Sequence, residues 1–290
     1  MRFFRFIKIE HTLFSLPIVF SGTLLLSCLN PHLRVTPLQL FLILIAAFTA
    51  RSAGFGFNRI VDYKIDAQNP RTKNREIPAG IISLKEAWFF VISMMGIFFI
   101  AAYLLSSLCL LFAPIPMILF YIYPFLKRCT LWTHLGLGIA WGIAPIGGWF
   151  AIRPQVFPFV DLSPLLLLAA FCVFWVAGFD ILYALLDEDF DRQNHIYSMP
   201  AQLGKTNAIR VAQIFHFIAF LILGIIMIYY VHYFVAHLIY LFIGLLFILS
   251  HWKILKDGVT PETIDFAFFK SNALMGFLIF ILFALEVKMS

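Results

Sequence analysis

The sequence predicts an all-α polytopic membrane protein of about nine transmembrane helices. Three observations predict it. Hydrophobic residues make up 62% of the 290 positions and charged residues only 12%, whereas soluble domains run roughly 45–50% apolar and about 25% charged. The apolar residues fall in runs close to the ~20 that a helix needs to cross a bilayer, and the runs lack the alternation of strands. Backbone polar groups in lipid must be satisfied internally, so such runs fold as helices. The third observation is how the positive charge is distributed, and it depends on the span positions.

Spans are expected at residues 12–29, 37–57, 86–105, 107–126, 134–152, 163–186, 207–230, 234–251 and 266–286. The weakest boundary lies between the third and fourth, where only Ser106 and Ser107 mark a turn. The basic N-terminal stretch MRFFRFIKIEH leads into an apolar run without a small-residue cleavage site, and so reads as a retained first helix. Pro17, Pro114, Pro116 and Pro145 and a run of glycines from Gly136 to Gly148 permit kinks and close helix packing.

Of the 21 Lys and Arg residues, Arg34, Arg153 and Lys288 fall on one side of these spans and Arg51 and Lys270 fall inside them; the other 16 fall on the side of the N-terminus. Cytoplasmic loops carry the excess of Lys and Arg, which puts the N-terminus in the cytoplasm. An even number of helices would break the alternation. This rule also accounts for the net charge of +6 without a nucleic-acid partner. Cys28, Cys109, Cys129 and Cys172 form no C-x-x-C pair and read as small core residues, without disulfide or zinc.

Two stretches stand out on the cytoplasmic side. Residues 58–80 read NRIVDYKIDAQNPRTKNREIPAG, and residues 180–204 read DILYALLDEDFDRQNHIYSMPAQLG. Each carries side chains at a spacing of four: Asn58, Asp62 and Asp66, then Tyr183, Asp187 and Asp191. On a helix that spacing gathers them on one face. Like charges so placed repel unless a divalent cation lies between them. Magnesium is held by one or two carboxylates plus substrate phosphates. Two facing carboxylate pairs would hold two such ions with a diphosphate bridging them. Arg71, Lys73, Arg75, Lys127 and Arg128 would neutralise the remaining phosphate charge. A solvated acidic helix end is the plainer reading of either motif alone.

These motifs resemble those of the UbiA superfamily of intramembrane aromatic prenyltransferases. The basic loop YPFLKR matches the loop between them, while KIEHTLFSLP and AGFDILYALLD resemble the UbiA-like group beside the 4-hydroxybenzoate polyprenyltransferases. The resemblance implies one domain over residues 1–290, with motif-bearing halves of roughly 1–130 and 131–290. It implies a helical bundle around a central cavity capped by cytoplasmic loops, in a bacterial inner membrane. It further implies transfer of a polyprenyl chain from its diphosphate to an aromatic acid, of 4-hydroxybenzoate or 1,4-dihydroxy-6-naphthoate type, in ubiquinone or menaquinone biosynthesis, with no obligate protein partner. Asn58, Asp62, Asp66, Asp187 and Asp191 would then bind Mg2+ and diphosphate. Lys73 and Arg75 would belong to the diphosphate loop, and Arg128 would be the catalytically important cation. Asp189, interleaved in DEDFD, departs from the pattern and blurs the register of the second motif.

The chemistry would ionise an allylic C–O bond, with Tyr121, Tyr123 and Tyr183 as neighbours of the cation. Arg51, within a span and seven residues before Asn58, is expected to bind the aromatic carboxylate or the diphosphate, with snorkelling as the alternative. Asp180 is expected to orient or deprotonate the acceptor hydroxyl, with a helix-to-helix hydrogen bond as the alternative. Lys270 reads as a packing or snorkelling lysine. The histidines, His11, His134, His195 and His216 among them, show no metal spacing and receive no role. A cation transporter is the rival from another class, since intramembrane acids also mark ion pathways; it would need acids on the far side, where only Asp161 and Glu286 occur.

Overall fold

The computed structural model describes residues 2–9, 12–30, 32–33, 35–152 and 162–289. The expectations for His11, Arg34, Arg153 and Asp161 concern positions outside these residues. In chain order the helices are α1 (Arg2–Phe6), α2 (Thr12–Leu29), α3 (Pro37–Gln68), α4 (Leu84–Leu105), α5 (Ser107–Phe112), α6 (Pro114–Leu126) and α7 (Thr133–Ile152). There follow α8 (Ser163–Ala184), α9 (Glu188–Gln193), α10 (Met199–Tyr230), α11 (Phe234–Asp257), α12 (Pro261–Ile264) and α13 (Ser271–Met289). Among the described residues, eight stretches are long and apolar enough to cross a bilayer, and α2 adds a shorter apolar run from Leu16 to Leu29. These stand where the nine spans were expected.

The boundaries follow local chemistry. Thr36 and Gln39 form a capping box at the start of α3, with Pro37 in the first turn. The helix continues past residue 57 to Gln68 and stops before Pro70, because the residue ahead of a proline is pushed out of the helical region. The whole first motif therefore rides on one rigid helix. Ser106 is extended, ends α4, and accepts the Cys109 N–H at 3.0 Å with its hydroxyl, which starts α5. The weak serine turn is a real break. In α10 the helical backbone begins at Met199 rather than at 207, and it breaks at Gly204, whose φ of 77° suits glycine. A π-helical segment, Asp265–Lys270, joins α12 to α13. Lys270 there is exposed and lies 3.4 Å from Asp265.

Two apolar cores lie side by side. One joins α1 with α3, α4 and α6 through Phe6, Phe57, Val91, Phe98 and Met117. The other joins α2 with α7, α8, α10, α11 and α13 through Leu25, Trp149, Phe171, Phe215 and Phe283. The first long helix therefore packs with the C-terminal helices, against α7 and α13. Its approach to α7 depends on small residues. A Cβ on Gly22 would sit 1.9 Å from the Pro145 carbonyl oxygen, and one on Gly148 would sit 2.0 Å from that of Val19. The Thr23 hydroxyl donates to the Gly148 carbonyl at 3.0 Å across the same crossing.

The outward faces carry large apolar side chains such as Phe89, Ile100, Leu111, Ile228 and Leu241. Apolar surface on this scale is covered by a partner or by lipid; on helices of bilayer length it marks an integral membrane protein. Glu286, one of the two far-side acids, accepts the backbone N–H groups of His232 and Tyr233, both at 2.9 Å. It caps the α10–α11 connection.

Candidate active site

A cavity of about 710 Å³ lies between the two cores. One part is apolar, with Ile43, Ala47, Phe98, Leu105, Phe112 and Phe150 on its walls; the other gathers the charged residues of both motifs. On α3 the helical spacing does as expected, and Asn58, Asp62 and Asp66 all line the cavity. Both acids are buried. The Asn58 amide donates to Asp62 Oδ2 at 3.2 Å.

The second motif is not on one continuous helix. A 3₁₀ turn, Leu185–Asp187, separates α8 from α9. The tighter winding changes the register, yet Tyr183, Asp187 and Asp191 all still line the cavity. Asp189 is exposed and outside the cavity wall, which removes it as a competitor. Glu188 is turned to Arg192 at 2.8 Å and Lys205 at 3.5 Å.

The loop after α3 carries the first motif across to the second. Arg71 donates from Nε to Asp187 Oδ1 at 2.8 Å, from Nη2 to Asp187 Oδ2, and from Nη1 to the Tyr183 hydroxyl at 2.6 Å. The Asn69 amide also donates to Asp187 Oδ1, at 2.9 Å. Burial works against the charge on Arg71, but these bonds and the adjacent acidic groups outweigh it and hold the guanidinium pKa above its ordinary value. Arg75 donates to Asp66 Oδ1 at 2.7 Å. Lys127 donates to Asp62 Oδ2, bringing the basic loop between α6 and α7 into the site. Arg128 donates to the Val61 carbonyl at 3.0 Å and lies 3.8 Å from Asp62 Oδ1. Lys73 is exposed and off the cavity wall, although Arg71, Thr72 and Arg75 of the same turn line it.

The intramembrane residues are deeper. Arg51 lines the cavity, donates to the Ile7 carbonyl at 3.1 Å, and lies over the Phe55 ring. Asp180 lines the cavity and meets His134 Nδ1 at 2.7 Å. The Met199 N–H donates to His134 Nε2 at 3.2 Å. Nε2 is therefore the acceptor, so Nδ1 carries the proton and donates to Asp180. The sequence alone gives His134 no role, because its partners lie 46 and 65 residues away. Of the three tyrosines named, Tyr123 and Tyr183 line the cavity, while Tyr121 is 56% exposed on the outer face against Phe57.

The acids fit a hard cation. Asp62 Oδ1 and Asp66 Oδ2 are buried without a hydrogen-bond partner, and buried carboxylate oxygens are ordinarily satisfied. Among the described residues no three His, Cys, Asp or Glu side chains close a cage of their own. That suits magnesium, which takes few protein ligands and fills its octahedron from water and phosphate.

The fold and site define a class, a polytopic helical membrane protein with a carboxylate- and cation-lined cleft at one end of an apolar cavity. Residues 16–273 match the UbiA prenyltransferase family, and the chain belongs to that family. It is 30% identical over 179 residues to a 4-hydroxybenzoate octaprenyltransferase of Vibrio cholerae serotype O1, which covers 60% of this chain and 58% of the relative. The match thus spans a little under three fifths of that curated relative's length. The structure is similar to a UbiA homolog from Aeropyrum pernix K1, with a TM-score of 0.85 and 31% identity over 96% of this chain and 98% of the other. It also shares its fold with a UbiA homolog from Archaeoglobus fulgidus bound to GPP and Mg2+, with a TM-score of 0.74 and 18% identity over 98% and 100% of the two chains.

Proposed function

We propose that this protein transfers a polyprenyl group from polyprenyl diphosphate to an aromatic acid of the 4-hydroxybenzoate type, as one domain over residues 1–290, with its site open to the cytoplasmic face of a bacterial inner membrane. One observation carries the reading: four carboxylates from two distant segments converge with Arg71, Arg75 and Lys127 on one end of an apolar cavity. The Archaeoglobus relative's GPP and Mg2+ and the Vibrio relative's name support it.

Asn58, Asp62, Asp66, Asp187 and Asp191 would hold two Mg2+ ions. When bound, these ions supply Lewis-acid stabilisation of the diphosphate leaving group. Arg71, Arg75 and Lys127, now paired with the acids, are near enough to turn to phosphate oxygens and stabilise the charge that develops as the allylic C–O bond breaks. The apolar walls hold the prenyl chain and exclude water, which would otherwise capture the allylic cation. Tyr123 is the ring placed to face that cation, because the Tyr183 ring is stacked on Phe268 and carries the Arg71 guanidinium over it. The arene attacks the allylic carbon, a C–C bond forms, and the ring proton leaves; diphosphate carries off the electron pair of the broken bond. Asp180, held by His134, accepts a hydrogen bond or proton from the acceptor hydroxyl and so enriches the ring. Arg51 binds the acceptor carboxylate.

The test is an assay of purified protein with Mg2+, one polyprenyl diphosphate and a panel of aromatic acids that includes 4-hydroxybenzoate and 1,4-dihydroxy-6-naphthoate, read by mass spectrometry. A Mg2+-dependent C-prenylated acid is expected. Release of diphosphate with no prenylated arene from any acid would overturn the reading.

A further inference from the structure

Arg59 carries a buried charge that the reaction scheme above leaves unused. It is 4% exposed and lines the cavity. Its Nε and Nη1 have no hydrogen-bond partner. The nearest carboxylate oxygen, Asp66 Oδ2, is 4.0 Å from Nη1, beyond hydrogen-bond reach. Arg71, Arg75 and Lys127 each hold a carboxylate directly. Among the described residues Arg59 has no such bond, and the Phe55 ring lies 4.9 Å from its guanidinium carbon. A buried guanidinium with unsatisfied donors is costly, and an apolar side chain of similar volume would serve packing alone at lower cost.

Position gives that charge a direction. Phe55 is four residues before Arg59 and Arg51 four before Phe55, so the three share a strip of α3. Both guanidiniums lie over the Phe55 ring, at 5.2 Å and 4.9 Å. This strip runs beside the Asn58, Asp62 and Asp66 strip, and both face the same cavity. One helix thus presents a cation-binding edge and an anion-binding edge side by side.

We propose that Arg59 is a substrate-binding residue whose guanidinium takes the oxygens of an anionic substrate group. Its planar fork matches a carboxylate or a phosphate equally well, so the group is either the acceptor's carboxylate or the donor's diphosphate. The inference rests on the prenyl-transfer reading.

Arg59→Met and Arg59→Lys, purified in detergent, test it with two separate probes, 4-hydroxybenzoate and geranyl diphosphate with Mg2+. Thermal unfolding is followed without ligand, and affinity is measured by titration. Arg59→Met is expected to melt at or above the wild-type temperature without ligand, because a buried charge with unsatisfied donors is gone. Its affinity for one probe falls about 10- to 100-fold, the loss expected of a charge-assisted hydrogen bond. Arg59→Lys, which keeps the charge but loses the fork, loses affinity for the same probe. A loss confined to the acid assigns Arg59 to the acceptor; one confined to the diphosphate assigns it to the donor. Wild-type affinity for both probes in both variants, with a lowered melting temperature in Arg59→Met, makes Arg59 structural and overturns the proposal alone. Failure of the wild type to bind either probe overturns the functional reading with it.

Discussion

The acids and their partners show what a side chain contributes once two distant motifs meet. Asp62 and Asp187 each bond a cation from another loop, Lys127 and Arg71, so each motif is completed by residues outside it. Asp62→Asn and Asp187→Asn keep the shape and remove the charge. Each is expected to lower prenyl transfer by at least about 100-fold, the scale for removing one preorganised group at a developing charge. The check is an initial-rate assay across a Mg2+ titration; near-wild-type rates in either variant would sink the two-metal assignment. In the proposed reaction His134 acts through Asp180, which it bonds at 2.7 Å, rather than on substrate. His134→Ala should cut kcat about 100-fold, the lower range for general-base assistance, with little change in KM for the prenyl diphosphate. Equal loss in both constants would make it a packing residue. The acids of the first motif were legible in the sequence because a period of four on one unbroken helix needs no tertiary information. His134 was not, because the meaning of a histidine lies in its partners, and these come from α8 and the start of α10.

Helices meet where small or capped residues let them. At the α2–α7 crossing the backbones approach so closely that a methyl group on Gly148 would strike the Val19 carbonyl. Gly148→Val should therefore force the pair apart and cost about 1–3 kcal/mol, as overpacking does, read as a lower melting temperature in detergent. Gly147, inside α7, meets nothing within 4 Å, so Gly147→Ala should keep or raise the melting temperature, since alanine favours the helix over glycine. Glu286 makes a second element-scale prediction. Glu286→Ala leaves the N–H groups of His232 and Tyr233 without their acceptor, a loss of about 1–3 kcal/mol for an unsatisfied buried group, while Mg2+-dependent activity survives at permissive temperature. Loss of activity with unchanged stability would instead give Glu286 a part in the reaction. Helix existence was legible from the apolar runs, but two details were not. The 3₁₀ turn at Leu185–Asp187 has no local signal in an unbroken apolar run, and the helical turn from Met199 to Gly204 lies ahead of the expected start at 207.

At the scale of the molecule the positive charge predicts an orientation that can be measured. Cys129, expected as a small core residue, is instead exposed in the loop between α6 and α7, whereas Cys172 is buried and Cys28 and Cys109 are half-buried. With Cys28 and Cys109 replaced by Ala, a membrane-impermeant thiol reagent is expected to label Cys129 in inverted vesicles and not in right-side-out vesicles. The reverse pattern would turn the site to the outside. The assembly also joins the chain's ends: α2 packs on α13 as well as α7, so the C-terminal core includes the first long helix. That closes the bundle around the cavity, and it is invisible to a division of the chain into consecutive halves.

The sequence by itself determined the solvent, the helices, the side that carries the charge and the two acidic faces, because each follows from composition or from a short-range period. Only the tertiary structure decided which cation holds which acid, that Asp187 and Asp191 rather than Asp189 line the cavity, that Lys73 and Tyr121 stand outside it, and that Asp180 has His134 as its partner. Those pairings join segments up to 118 residues apart, as Asn69 and Asp187 do. Side chains so distant are brought within 3 Å by helix packing, and no local pattern encodes that.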